Sequence, residues 1–290
     1  MKTTLPLKET YGLGEIDVTI INTGNNKSVK TFLEIDTGGS PTKILSKFSR
    51  ILGLDVKRDM GVLVRDGDFY LYPNLLIKIG NLKPFKTPVM VPTGKMNMSS
   101  QVLGMYTLSQ FKKVSYNSKF ITFEDYEPTP EIVKNKATYT TPIQSIRFPE
   151  YTSKVVFHDV TFYNRETGKP IIIEMEVDSG TEIPLLPVKY ATRLGIDIKD
   201  AVDSYEISDI YSTGMVYVHV LTIKIGNLKP ITTKVGFDTR KDASPLLGLE
   251  DILKKVRFEI AGGKLSYIEL AALGEAHKSF YGHPRWSKRI

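Results

Sequence analysis

The sequence of 290 residues has no cysteine, one tryptophan and four histidines. Without cysteine the chain can form neither a disulfide nor a thiolate zinc site, and it cannot use a cysteine nucleophile. Its apolar runs, such as residues 171–173, are far too short to cross a bilayer, and residues 1–11 lack the apolar core of a secretory signal. We therefore expect a cytoplasmic protein that does not bind membranes.

The sequence gives little evidence of metal binding or nucleic-acid binding. The histidines show no spacing typical of metal ligands: His158, His219, His277 and His283. The net charge of +7 arises from 39 basic and 32 acidic residues that are interspersed along most of the chain. We expect no metal, no other cofactor and no nucleic-acid partner, and we interpret the basic tail, residues 269–290, as a solvated or packed terminal segment.

The chain contains an internal duplication. The eight residues IKIGNLKP at 77–84 recur unchanged at 223–230. At nearly the same offset, Asp36-Thr37-Gly38 is matched by Asp178-Ser179-Gly180, and Val102-Leu-Gly by Leu246-Leu-Gly. Because the order of these landmarks is the same in both halves, the duplication fixes the architecture before any motif is interpreted.

Each half shows the same succession of short elements. A β-branched strand pair leads to the acidic triplet and is followed by a short helix, a glycine-containing hairpin and two strands. An apolar-apolar-Gly turn, a second short helix and a last strand pair complete the half. This pattern predicts an all-β protein with a few short helices, in which each half is a small closed barrel. We predict lobes at 1–123 and 151–268, joined by a proline-containing extended connector at 124–150.

The acidic triplets carry the predicted chemistry. Two copies of one fold related by an approximate two-fold axis bring equivalent residues face to face, so Asp36 and Asp178 should meet. Two carboxylates a few Å apart cannot both ionise easily and therefore share a proton. One can then deprotonate a water while the other protonates an amide carbonyl, which hydrolyses a peptide bond without a metal.

The neighbours of both aspartates suit this role. Gly38 and Gly180 allow a tight turn and close backbone approach. Thr37 and Ser179 place a hydroxyl at the same position in each half, where it can bond backbone across the two-fold axis. The hairpin tips are candidate flaps that close over a substrate, although ordinary surface hairpins fit the pattern equally well: Asp66, Gly67 and Asp68 in the first half, Ser212, Thr213 and Gly214 in the second.

Taken together, the two triplets and the later apolar-apolar-Gly turns resemble the retroviral-type, or retropepsin-like, aspartic protease family. The resemblance covers nearly the whole chain and implies two retropepsin-like lobes in a pseudo-two-fold dimer, with Asp36 and Asp178 as the catalytic pair. Family members are normally homodimers, so this chain resembles a fused dimer and is expected to be a monomer. The family's Gly-Arg-Asp turn is replaced by Gly104-Met105-Tyr106 and by Gly248-Leu249-Glu250-Asp251, so an ion pair between the halves is missing or replaced.

We therefore expect an aspartic endopeptidase that cleaves an extended peptide or protein substrate. Two alternatives stay open at this point. The chain could be a peptide-binding module that keeps the fold without turnover, for which the unusual Gly39 and Glu182 leave room. Alternatively, two chains could associate so that each aspartate pairs with its own counterpart.

Overall fold

The computed structural model describes residues 1–10, 13–39, 41–64, 68–93, 100–124, 139–147, 152–208 and 212–270. The strands of the first half are β1 Lys2–Pro6, β2 Lys8–Thr10, β3 Leu13–Asn22, β4 Ser28–Asp36, β5 Thr42–Lys43, β6 Val62–Val64, β7 Phe69–Ile79, β8 Phe85–Pro92, β9 Val102–Gly104, β10 Lys113–Tyr116 and β11 Phe120–Glu124. Those that follow are β12 Tyr139–Pro142, β13 Gln144–Arg147, β14 Thr152–Val155, β15 Phe157–Tyr163, β16 Pro170–Asp178, β17 Leu185–Pro187, β18 Asp203–Ser208, β19 Thr213–Ile225, β20 Ile231–Asp238, β21 Leu246–Gly248, β22 Val256–Ala261 and β23 Lys264–Glu269.

The helices are short and lie between strands. They are α1 Ser46–Ile51, α2 Met105–Leu108, α3 Lys189–Arg193 and α4 Glu250–Leu253, with a 3₁₀ turn at Ile198–Asp200. In the part of the chain that the structure describes, no helix has the length and apolar character needed to span a membrane.

Two closed barrels of six strands form the lobes. In the first, the order is β3-β4-β9-β5-β8-β7, and pairing of β3 with β7 closes the ring. In the second, the order is β15-β16-β21-β17-β20-β19, closed by β15 and β19. The equivalence of the two orders confirms the predicted all-β fold with two closed barrels.

The two faces of the barrel strands differ in side-chain character. On β16, Met175 and Val177 are fully buried in the core, whereas Glu174 between Ile173 and Met175 is exposed. On β4, Leu33 and Ile35 are likewise buried in the core. Successive side chains of a strand point to opposite faces, so the inner face fills the barrel and the other face points outward. The outer face of β4 and β16 therefore carries Asp36 and Asp178.

A third sheet joins the two lobes. Its order is β1-β11-β10-β22-β23-β12, and the lobes meet where β10 pairs antiparallel with β22. Tyr116 lies opposite Phe258 in this pair, with ring centroids 5.2 Å apart in an edge-to-face arrangement. The halves are thus connected by backbone hydrogen bonds as well as by side-chain packing.

An ion pair across this boundary should contribute to stability. Glu259 on β22 is only 2% exposed, and its Oε1 lies 2.8 Å from Lys113 Nζ of the other half and 3.2 Å from Arg257. We expect Glu259→Gln to lower the free energy of unfolding by about 2 kcal/mol, because two cations lose their buried partner. Chemical denaturation measures this change.

A matched control is Asp17→Asn, which breaks the exposed pair between Asp17 and Lys8. That variant should lose less than about 1 kcal/mol, because exposed ion pairs are screened by solvent. Equal losses in the two variants would show that the ion pair between the lobes stabilises the protein no more than an exposed pair does.

Residues 124–150, predicted to be an extended connector, contain two strands in the structure. β12 pairs antiparallel with β23, with Pro142 opposite Lys264, just as β1 pairs with β11 with Pro6 opposite Phe120. Proline is tolerated at an edge strand because a missing N–H costs no ladder bond there. Because β12 repeats the role of β1, we propose that the second lobe begins near Tyr139 and that the connector is shorter than predicted. Residues 271–290 of the basic tail lie outside the described residues.

Candidate active site

The two triplets leave their barrels at equivalent points. Asp36 is the last residue of β4 and lies beside Gly104 of the parallel strand β9. Asp178 is the last residue of β16 and lies beside Gly248 of the parallel strand β21. Each aspartate is therefore positioned by the end of a strand whose inner face is buried in a barrel core.

The structure brings the two triplets together. A Cβ atom on Gly38 would lie 2.6 Å from Cγ of Asp178, and one on Gly180 would lie 3.1 Å from Cγ of Asp36. Each glycine thus faces the carboxyl group of the opposite lobe at a distance that a side chain would obstruct. The duplication predicts this meeting of Asp36 and Asp178 from their positions in the two copies.

Hydroxyl groups link the triplets across the pseudo-two-fold axis. Thr37 Oγ1 accepts a hydrogen bond from the Ser179 N–H at 2.9 Å and donates one to the Val177 carbonyl at 3.0 Å. Reciprocally, Ser179 Oγ accepts from the Thr37 N–H at 2.9 Å and donates to the Ile35 carbonyl at 2.7 Å. These four buried bonds, called the hydroxyl link below, fix the backbone on which both carboxylates are carried.

The two carboxylates have different local partners. Asp36 Oδ1 accepts a hydrogen bond from the Gly39 N–H at 2.5 Å. Asp178 Oδ1 accepts from the Gly180 N–H at 2.9 Å, and its Oδ2 accepts from the Thr181 hydroxyl at 2.6 Å. Thr181 was not among the site residues predicted from the sequence. Its signal is its place directly after the triplet, where the first lobe has Gly39 and no hydroxyl.

Electrostatics favour a shared proton at this pair. Burial, followed by the charge of Asp178, raises the pKa of Asp36 to about 7. Lys43 and the Gly39 N–H oppose this rise, because both favour the charged form. A carboxylic acid that stays protonated near neutrality beside a second carboxyl group can act as the acid of an acid and base pair.

The glycines of the apolar-apolar-Gly turns make room for the loops that follow the triplets. A Cβ on Gly104 would lie 2.6 Å from the Gly39 carbonyl oxygen, and one on Gly248 would lie 2.7 Å from that of Thr181. The backbone amides after these glycines bond to the same carbonyl groups. The Met105 N–H donates to the Gly39 carbonyl at 2.7 Å, and the Leu249 N–H donates to the Thr181 carbonyl at 3.1 Å. The turns therefore hold the loops that support the carboxylates.

The helices after these turns are anchored within their own halves. Thr107 Oγ1 lies 2.8 Å from Thr87 Oγ1, and at the equivalent place Asp251 Oδ2 accepts from the Thr233 hydroxyl at 2.8 Å. Neither turn makes an ion pair with the other half among the contacts of the described residues. The pair of Lys113 with Glu259 in the central sheet connects the halves instead.

The predicted flaps are only partly described. Asp66 and Gly67 lie outside the described residues, whereas the Asp68 carbonyl accepts from the Thr93 N–H at 2.9 Å. In the second lobe Ser212 Oγ donates to Asp242 at 2.9 Å, and Thr213 and Gly214 begin β19. A movement of these hairpins over a substrate stays a prediction.

Apolar clusters lie beneath both hairpins, separate from the main core. The first cluster is formed by Val64, Phe69, Leu71 and Met90. The second is formed by Ile183, Leu185, Val216 and Val218. Each cluster includes residues of the long hairpin strand, β7 or β19, and every member is 5% exposed or less.

Comparison with known proteins supports the fold. A scan against protein-family models and a search of curated proteins each found no match. The crystal structure of a retropepsin-like aspartic protease from Rickettsia conorii covers 42% of this chain and 90% of its own, at 23% identity and a TM-score of 0.32. The crystal structure of the aspartic proteinase from Irpex lacteus covers 93% of this chain and 97% of its own, at 13% identity and a TM-score of 0.50. The similarity to the second structure over both lobes, together with the two closed barrels, confirms the predicted two-lobed fold, which is that of an aspartic proteinase.

Proposed function

We propose that the protein is an aspartic endopeptidase that hydrolyses a peptide bond of an extended substrate held between the lobes. The observation that carries this proposal is the meeting of Asp36 and Asp178 across the hydroxyl link of Thr37 and Ser179. Fixed carboxyl groups of unequal environment are what acid and base catalysis requires. The fold similarity to an aspartic proteinase supports this chemistry by analogy.

In the proposed mechanism the pair holds one proton. The ionised carboxylate takes a proton from a water molecule between the two aspartates, and the water oxygen attacks the carbonyl carbon of the substrate. The protonated carboxyl group gives its proton to the carbonyl oxygen, so the tetrahedral intermediate forms without a separated charge. The carboxyl group that took the water proton then gives it to the amide nitrogen, and the C–N bond breaks. A hydroxyl of the intermediate returns its proton to the other carboxylate, so the acid and amine products leave and the pair again holds one proton.

The substrate we propose is a peptide or an unfolded protein segment. An extended chain can lie across the pair with successive side chains pointing to opposite sides, which suits strand-like recognition. Since one chain holds both aspartates, we propose that the active form is a monomer. We also propose that it acts in the cytoplasm. Size-exclusion chromatography of an active preparation tests the first of these points.

Peptidase activity should depend on pH in a defined way. The rate should pass through a maximum and fall as pH rises past about 7, because Asp36 then loses the proton that the carbonyl oxygen needs. At acid pH it should fall again as the pair takes up a second proton. Cleavage of an unfolded protein between pH 3 and 8, followed by mass spectrometry, measures this profile.

Inhibition by a statine-type transition-state mimic would identify the active pair as the source of cleavage. A rate that keeps rising to pH 8 and ignores the inhibitor would indicate another catalytic group. Absence of cleavage at every pH, with a folded protein that still binds peptides, would favour the binding module.

A further inference from the structure

Two glutamates accompany the catalytic aspartates. Glu34 lies two residues before Asp36 on β4, and Glu176 lies two residues before Asp178 on β16. Residues two apart on a strand share a face, so each glutamate lies on the outer face with its aspartate. The residues between the members of each pair, Ile35 and Val177, are buried in the barrels. Neither glutamate is among the site residues predicted from the sequence.

Glu34 is the more deeply placed of the two. It is only 8% exposed, and its carboxyl group makes no hydrogen bond or ion pair with any described residue. Glu15 of β3 lies directly opposite it across the strand pair. The charged groups with the largest effect on its pKa are all acidic: Asp36 and Asp178 most strongly, then Glu15 and Glu182. Burial and these charges together raise the pKa of Glu34 to about 8.

Glu176 repeats this situation in the second lobe with fewer neighbours. It is half-buried, has no hydrogen-bond or ion-pair partner for its carboxyl group among described residues, and lies opposite Phe157. Burial, followed by the charge of Asp178, raises the pKa of Glu176 to about 7. In the described part of the chain the basic residue that acts on this region is Lys43, and it acts on Asp36.

A buried carboxyl group without a partner is unusual, because buried charges are normally paired and hydrogen-bonded. When such a group lies beside a cleft that binds a ligand, the ligand can supply the partner. Within the described residues no three His, Asp or Glu side chains are arranged to hold a metal ion. A single organic cation on a flexible stem, the ammonium of lysine or the guanidinium of arginine, fits this chemistry.

We infer that Glu34 and Glu176 bind basic side chains of the substrate, so that the peptidase prefers lysine or arginine in the residues that flank the scissile bond. This inference rests on the proposed function and names the substrate class of the same cleft. One glutamate in each lobe gives one acidic position on either side of the aspartate pair.

The preference should grow with rising pH. A bound cation favours the charged carboxylate, which is scarce at acid pH and becomes more common as pH approaches the raised pKa values of about 7 and 8. Below about pH 5 both groups are neutral, and apolar side chains should be accepted as readily as basic ones. Selectivity and overall rate would therefore follow different pH profiles.

The test compares two peptides that differ only at one residue beside the scissile bond, lysine in one and norleucine in the other. At pH 7 the native chain should cleave the lysine peptide with a kcat/KM about 10 to 100 times higher. The ratio should fall towards one in Glu34→Gln or Glu176→Gln, according to the side of the bond. Glu174→Gln is the matched control, because Glu174 lies on the same outer face of β16 but is exposed, and it should keep the native ratio.

Equal cleavage of both peptides by the native chain would overturn the inference while leaving the proposed peptidase intact. If neither peptide is cut, the binding of two noncleavable analogues, in which a reduced bond replaces the scissile bond of each peptide, is measured by calorimetry. Equal affinities for the lysine and norleucine analogues would also overturn the inference. Folding of the variants is checked by their stability against pH. Folding raises the pKa of Glu34 above its ordinary value of 4.5, so the protonated group stabilises the folded chain. This contribution to the free energy of unfolding is fully present below pH 4.5. It is lost as pH rises through about 8, and Glu34→Gln should flatten the decline.

Discussion

Asp36→Asn and Asp178→Asn should each reduce kcat by roughly 10³-fold or more, because either change removes one member of a pair that acts as a unit. Asparagine has the shape of aspartate and keeps an oxygen for the N–H of Gly39 or Gly180. It cannot share a proton at working pH, so neither water activation nor protonation of the carbonyl oxygen is complete. Single-turnover cleavage of an unfolded protein, with circular dichroism to verify folding, measures the loss.

The double variant serves as the internal control for this prediction. If the two aspartates form one site, the double variant should be little worse than either single variant, because the first change already disables the pair. Activity that survives in one single variant would assign the chemistry to the other residue alone. Asp17→Asn, on the outer surface of the first lobe, should retain native activity.

Loss of the hydroxyl link should cost both stability and rate. Thr37→Val leaves the buried Ser179 N–H and the Val177 carbonyl without the bonds that Thr37 Oγ1 makes at 2.9 and 3.0 Å. Each unsatisfied buried group costs about 1–3 kcal/mol, so we expect a loss of about 2–4 kcal/mol in the free energy of unfolding. A small displacement of the carboxylates should in addition lower kcat by roughly 10²-fold.

A double-mutant cycle separates the link from simple loss of packing. Ser179→Ala should cost a similar amount, and the two changes together should be strongly nonadditive, because both remove parts of one hydrogen-bonded unit. Thr37→Ser is the conservative control, since it retains the hydroxyl and copies the residue of the second lobe. Additive losses, or an equal loss in Thr37→Ser, would contradict a cooperative link.

The sequence predicts the architecture because the duplication constrains it strongly. The repeat places Asp36 and Asp178 at equivalent points, and two copies of a barrel then have one symmetric way to bring these points together. The short helices α1 Ser46–Ile51 and α3 Lys189–Arg193 also follow the two triplets, where the pattern predicts a short helix in each half. Alternating burial and terminal glycines suffice for this level of description.

Features that depend on tertiary contacts could not be obtained in this way. The strands Tyr139–Pro142 and Gln144–Arg147 lie in a proline-containing stretch that favours a connector by composition, and only pairing with β23 and β14 makes them strands. The support of Asp178 by Thr181 depends on the path of a loop, which local pattern does not determine. The burial of Glu34 likewise depends on how the lobes and neighbouring strands surround it.

The covalent joining of the halves has a consequence for how a peptide lies in the cleft. In a dimer of identical chains every substitution appears twice, so a substrate can bind in either direction with equal energy. Here each half can diverge alone: Asp178 has the Thr181 hydroxyl where Asp36 has the Gly39 amide, and Glu176 lies opposite Phe157 where Glu34 lies opposite Glu15. Such differences give the cleft a polarity, so the two directions in which one peptide can lie differ in energy, and the roles of acid and base can be assigned to one lobe each.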